Sequence, residues 1–150
     1  MSADAGIRKN VGGLPAPDFE PVATELRAPL SECRVAIVTT AGLVPNGDVK
    51  LWRPGDQSFT VLPHDARDLQ LSHFSPNFDR TGIVSDINTV YPADRLDELV
   101  DEGVFGSVND RHLSFMGAQF DFATMIQDTG PQAAQLLVDD GVDVVLLTPV

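Results

Sequence analysis

Apolar positions along the chain recur at two different periods. Cys33-Arg-Val-Ala-Ile-Val-Thr-Thr-Ala-Gly42 and Gly141-Val-Asp-Val-Val-Leu-Leu-Thr-Pro-Val150 are short aliphatic runs bounded by glycine, and both predict strands. The second is unbroken from Val144 to Leu147, the pattern of a strand buried on both faces in the middle of a sheet. In Pro92–Gly103, by contrast, Leu96, Leu99 and Val100 lie three and four apart, behind a proline and early acidic residues and ahead of a glycine, which predicts a helix. Helical spacing also links Phe122, Met125 and Ile126 within Phe120–Gln127. A last helix starts at Gly130-Pro131 with Ala134, Leu137 and Val138 turned inward.

The remaining segments are less regular. Gly82–Asn88 reads as a short strand-like piece ending in polar groups, and Val104–Val108 as a short strand or extended link. Leu43–Phe78 is loop-rich, with a turn at Pro45-Asn46-Gly47-Asp48 and a brief alternation at Ser58–Leu62; its length predicts a lid or substrate loop. Residues 1–30, rich in Pro, Gly, Ala and charge, predict an irregular arm with a short helix around Pro21–Leu26. Strand and helix alternate through residues 31–150, which predicts a single α/β domain. It is expected to be Rossmann-like and three-layered, around a mostly parallel central sheet.

Charge narrows the partners. Ten basic residues against 22 acidic ones give a net charge of −12, a field that repels nucleic acid and anionic membranes. No apolar run approaches the ~20 residues that span a bilayer, and the N-terminus has no hydrophobic signal core, so a cytoplasmic protein is expected. Cys33 is the single cysteine, which excludes an internal disulfide; beside the first strand it reads as a core residue.

In open α/β sheets chemistry gathers beyond the carboxyl ends of the strands, which singles out Thr39, Thr40 and Thr148. Arg111 offers a fork for a substrate carboxylate, with Asn88 as a further polar contact. His112 or His73 offers a proton, and Asp86 can orient a histidine. Each has a plainer role: Arg111 paired to Asp110 or another acid, Asp86 and Asn88 capping a turn, His112 packed beside Phe115. Phe115, Met116, Phe120 and Phe122 read as core. His64, His73 and His112 with Asp86 lack the short spacing of a metal site, no Gly-x-Gly-x-x-Gly follows either strand, and Ser114 sits in no Gly-x-Ser-x-Gly elbow.

Several phrases together resemble one family. They are Ser31–Gly42, Asp86-Ile-Asn88, Val90–Leu99, Glu102–Ser107, His112-Leu-Ser-Phe-Met-Gly117 and Asp140–Val150. In that order they resemble selenoprotein B of the glycine, sarcosine, betaine and D-proline reductases. The resemblance implies reductive cleavage of a carbon–nitrogen bond α to a carboxylate, with electrons from a dithiol. It implies a small amine or amino-acid substrate, an oligomer, and other reductase subunits or a dithiol donor such as thioredoxin as partners.

The family's nucleophile is a selenocysteine or cysteine, with another cysteine two residues on, directly after the strand that Val142–Val150 resembles. The 150 residues hold no cofactor and stop where that motif would begin, which predicts a frame closed at a selenocysteine codon and a chain inactive alone. A non-enzymatic module that binds a small ligand or pairs with another subunit is the alternative.

Overall fold

The computed structural model describes residues 24–47, 52–75 and 80–150, together with isolated positions before residue 24. Most of the predicted N-terminal arm lies outside the described residues, as do positions 21–23 of its helix; residues 24–26 carry no helix.

Strand β1 (Arg34–Thr39) is the axis of the sheet. Its alternating side chains are buried on both faces, with Val35, Ala36 and Ile37 fully enclosed, each such burial contributing roughly 1.5–3 kcal/mol for the larger aliphatics. A short antiparallel sheet lies to one side, formed by β2 (Leu43–Pro45) and β4 (Leu69–Leu71). Between them β3 (Thr60–Pro63) joins the main sheet. The loop-rich segment is therefore packed into the domain through three strands, which corrects the expectation of a lid.

Strands β5 (Ser107–Val108) and β6 (Arg111–Ser114) take one edge of β1 in succession, both parallel to it. Strand β7 (Val144–Thr148) takes the other edge, also parallel, over five residue pairs. Strand β3 closes the β6 side antiparallel, so the sheet is mixed and mostly parallel within an α/β fold.

Helix α1 (Thr81–Ser85) and a 3-10 turn (Ile87–Thr89) stand where a strand-like piece was expected. The apolar pair there is split: Ile83 is buried but Val84 is 81 % exposed, and Asp86 ends one turn and caps the next. Helix α2 (Ala93–Asp101) follows the expected pattern, burying Ala93 and Leu96. It covers the face of β1 that carries Val35 and Ile37. A π-turn (Met125–Thr129) leads into helix α3 (Gly130–Asp139), which covers the opposite face at Ala36 and Leu113.

Three assignments of buried faces are corrected. In α3 the inward residues are Ala133 and Leu137, with Leu136 partly buried, whereas Ala134 is exposed and Val138 is 65 % exposed; the wound π-turn rotates the helix relative to the expected phase. Phe120 is 84 % exposed rather than in the core. Most important, among the described residues β7 lies on an edge, paired with β1 alone, and Leu147 is 67 % exposed. An unbroken apolar run resembles a doubly covered strand, yet among the described residues neither a further strand nor enough helix covers it.

Candidate active site

The carboxyl ends of β1 and β7 run out side by side. Thr40 donates its backbone N–H to the Thr148 carbonyl at 3.2 Å, and the Thr39 hydroxyl reaches that same oxygen at 3.4 Å. Thr148 in turn donates its hydroxyl to the Val90 carbonyl at 2.8 Å. The Thr40 hydroxyl accepts the Val150 N–H at 2.8 Å. The structure thus brings Thr39, Thr40 and Thr148 together at one strand end, as their positions in sequence led us to expect.

Two glycines let backbone crowd this end. A Cβ on Gly117 would sit 2.7 Å from the Val150 carbonyl and 3.0 Å from that of Thr40. Gly42, at φ 65°, lies against the backbone of His73 and the Met116 methyl. His73 therefore borders the strand end, buried, with its Nδ1 accepting the Ser75 N–H at 3.3 Å and its carbonyl accepting Arg80 at 2.7 Å. Burial, then the Arg80 charge, pushes its pKa down. The neutral ring accordingly carries its proton on Nε2.

A second polar group lies under α2. Where β5 gives way to β6, the Ile37 N–H finds no strand carbonyl and donates instead to His112 Nδ1 at 3.0 Å. His112 Nε2 meets His64 Nδ1 at 3.0 Å, and His64 Nε2 meets Asp97 at 2.8 Å. Arg67 bonds both Asp97, at 3.2 Å, and Asp94, at 2.8 Å, and also the His64 carbonyl. The chain runs from a fully buried imidazole to half-exposed carboxylates. Burial is the first cause that takes the His112 pKa down to about 4, with His64 and Arg67 adding to it and Asp97 opposing. The edge of the Tyr91 ring packs on His112, centroids 5.5 Å apart, and its buried hydroxyl has no hydrogen-bond partner among the described residues. His112 thus packs beside Tyr91 and His64 rather than Phe115.

Other candidates are drawn elsewhere. Arg111 opens β6 at the opposite end of the sheet, bonded through two nitrogens to Asp140 at 2.5 and 2.6 Å. That pairing first, then Asn109, holds the Asp140 carboxyl down at about 2. In the β1–β6 register Arg111 stands three residues before Ser114, the partner of Thr39, a strand distance of ~10 Å from the threonines. Asp86 accepts the backbone and side-chain amides of Asn88, both at 2.9 Å, which keeps its pKa low. Asn88 then reaches Asp94 at 3.1 Å. Asp86 orients Asn88 and touches no histidine; the carboxylate that orients one is Asp97. Asp94 and Asp97, three apart on the predicted helix, carried a legible signal for that face, whereas nothing in the sequence pairs His64 with His112. Among the described residues no group of three His, Cys, Asp or Glu is placed to hold a metal ion, and no helix is long and apolar enough to cross a membrane.

Residues 9–150 match the family model for glycine/sarcosine/betaine reductase selenoprotein B, and the chain belongs to that family. It is 36 % identical over 136 residues to D-proline reductase subunit gamma of Acetoanaerobium sticklandii, covering 89 % of this chain and 54 % of that protein. It is 29 % identical over 125 residues to sarcosine reductase complex component B subunit beta of Peptoclostridium acidaminophilum, covering 79 % of this chain and 28 % of that one. The chain thus spans about half the length of the first relative, or less of the second. No solved structure matches it.

Proposed function

We propose that this chain is part of a reductase subunit that cleaves a carbon–nitrogen bond α to a carboxylate, with a dithiol as the ultimate electron donor. The observation that carries the proposal is the convergence of Thr39, Thr40, Thr148, Gly117 and His73 at one strand end of a chain from this family. In this reading the fold is Rossmann-like and three-layered, supported by α2 and α3 on opposite faces of β1.

The selenocysteine or cysteine pair is proposed to follow Val150. The close backbone approach at Gly117 and the hydroxyls around it suit a closely packed turn there. Such a pair supplies two electrons, becoming a selenenyl sulfide or disulfide as the C–N bond is replaced by C–H and the amine leaves protonated; an external dithiol restores it.

The chain's own residues supply the surroundings. His73, neutral with its proton on Nε2, donates a hydrogen bond to the departing amine, and the proton that the amine takes up comes from solvent. Arg80, anchored on the His73 and Ser75 carbonyls, supplies the cation for the substrate carboxylate in place of the distant Arg111. The 150 residues alone are inactive in this proposal, and a cytoplasmic location goes with it.

Other reductase subunits are the proposed partners, consistent with relatives named as a reductase subunit and as part of a complex component. A second reading, a non-enzymatic pairing module, draws on the exposed Val145, Leu146 and Leu147 of β7. The test is dithiol-dependent reduction of glycine, sarcosine, betaine and D-proline by the protein purified from its native host with its associated subunits. Turnover of any one supports the reductase; intact assembly with no turnover on all four supports the pairing module.

A further inference from the structure

We infer that Thr40 and Gly117 are positioning residues that lock the backbone of Val150 at the mouth of the strand-end site. The inference rests on the reductase reading, in which the reacting residue follows Val150.

The need for such a lock comes from Pro149. The β1–β7 ladder runs regularly to the bond from the Thr40 N–H to the Thr148 carbonyl, and Pro149 has no N–H with which to extend it. A side chain takes over at that point. The Thr40 hydroxyl accepts the Val150 N–H at 2.8 Å and lies 3.4 Å from the Val150 carbonyl oxygen, so a single oxygen faces both polar groups of one residue.

The third side of the lock is Gly117. Its N–H donates to the Thr40 carbonyl at 2.9 Å, tying the turn after β6 to the end of β1. Its missing side chain lets the Val150 carbonyl approach to 2.7 Å from where a Cβ would stand. An alanine there displaces either Val150 or Thr40, because the two nearest atoms are backbone oxygens and the third, at 3.1 Å, is the Thr40 hydroxyl itself. Thr148 braces the same segment from below through the Val90 carbonyl at 2.8 Å. Thr40 therefore directs its hydroxyl to the chain itself, not to a substrate as its sequence position suggested.

Three measurements test this. In the 150-residue chain, amide hydrogen exchange should show Val150 N–H protected in the wild type and in Thr40→Ser, and at least about tenfold faster in Thr40→Val, with the β1 amides unchanged. In the native-length reductase, Thr40→Val and Gly117→Ala should lower kcat by roughly 10- to 100-fold, the scale set by a misplacement of about 1 Å, with KM within about twofold. The pH midpoint of inactivation by iodoacetamide should move in the same variants, and Thr40→Ser should restore both. Unchanged Val150 exchange in Thr40→Val, or a Thr40→Ser enzyme as defective as Thr40→Val, overturns the inference. A wild-type protein with no turnover and no alkylatable group besides Cys33 defeats the reductase reading instead; the exchange of Val150 then still decides whether the lock exists.

Discussion

His112 donates its Nε2–H to His64 Nδ1 across 3.0 Å, and the direction is set from both ends. At the inner end the Ile37 N–H can only donate, so His112 Nδ1 must be bare. At the outer end the Asp97 carboxylate can only accept, so His64 Nε2 carries its proton. Both rings are neutral in this arrangement, and a proton added to His112 would have to occupy the nitrogen that Ile37 already uses.

A pH dependence of stability follows from that geometry. An unfolded histidine titrates near 6.5, whereas folded His112 stays neutral down to about 4. Between those values the unfolded chain binds more protons, so stability is complete above about pH 6.5 and falls by roughly 3 kcal/mol as the pH drops towards 4. Urea unfolding across this range checks it: His112→Gln should flatten the slope, and a wild-type stability that rises on acidification would contradict it.

Asp97 anchors the exposed end of the same chain. Its partial exposure limits the loss in Asp97→Ala to about 1 kcal/mol. A double-mutant cycle with His64→Ala should return a coupling of at least about 0.5 kcal/mol, since the two are in direct contact. Additive losses would show that the bond contributes nothing to folding.

The proposed role of Arg80 as the contact for the substrate carboxylate predicts a contrast with Arg111. Arg80→Ala should raise KM for the carboxylate substrate by about tenfold, the loss of one charged contact. Arg111→Ala should leave KM unchanged while the Asp140 pKa rises from about 2, which NMR titration reads directly. The opposite pattern of KM effects would return the carboxylate to Arg111.

The open edge of β7 predicts association. Leu147→Lys places a charge on a residue 67 % exposed and should reduce self-association or subunit pairing, with thermal unfolding nearly unchanged. Sedimentation velocity of the variant against the wild type measures this. Equal sedimentation with a lowered melting temperature would mean that Leu147 is packed in the folded protein.

Local patterns made some of this architecture legible. Cys33–Gly42 and Pro92–Gly103 announce their elements because runs, caps and spacing all agree, and the structure has β1 and α2 there. Thr39, Thr40 and Thr148 were legible as a group because parallel strands place their carboxyl ends together. The edge position of β7 was not, because four consecutive apolar residues read alike whether a neighbour covers them or not. Nor were the bonds from His64 to His112 and from Arg111 to Asp140, which join residues 48 and 29 positions apart through side chains alone. Gly117 escaped notice for a related reason: its importance lies in the Val150 carbonyl that crowds it, a contact only the folded chain creates.

Alkylation mapping of the protein purified from its native host tests the central claim most directly. Reduced protein treated with iodoacetamide at neutral pH and digested for mass spectrometry should show a labelled selenocysteine or cysteine immediately after Val150, reacting ahead of the buried Cys33. A mature protein labelled only at Cys33, or one whose sequence after Val150 contains neither residue, would contradict the account.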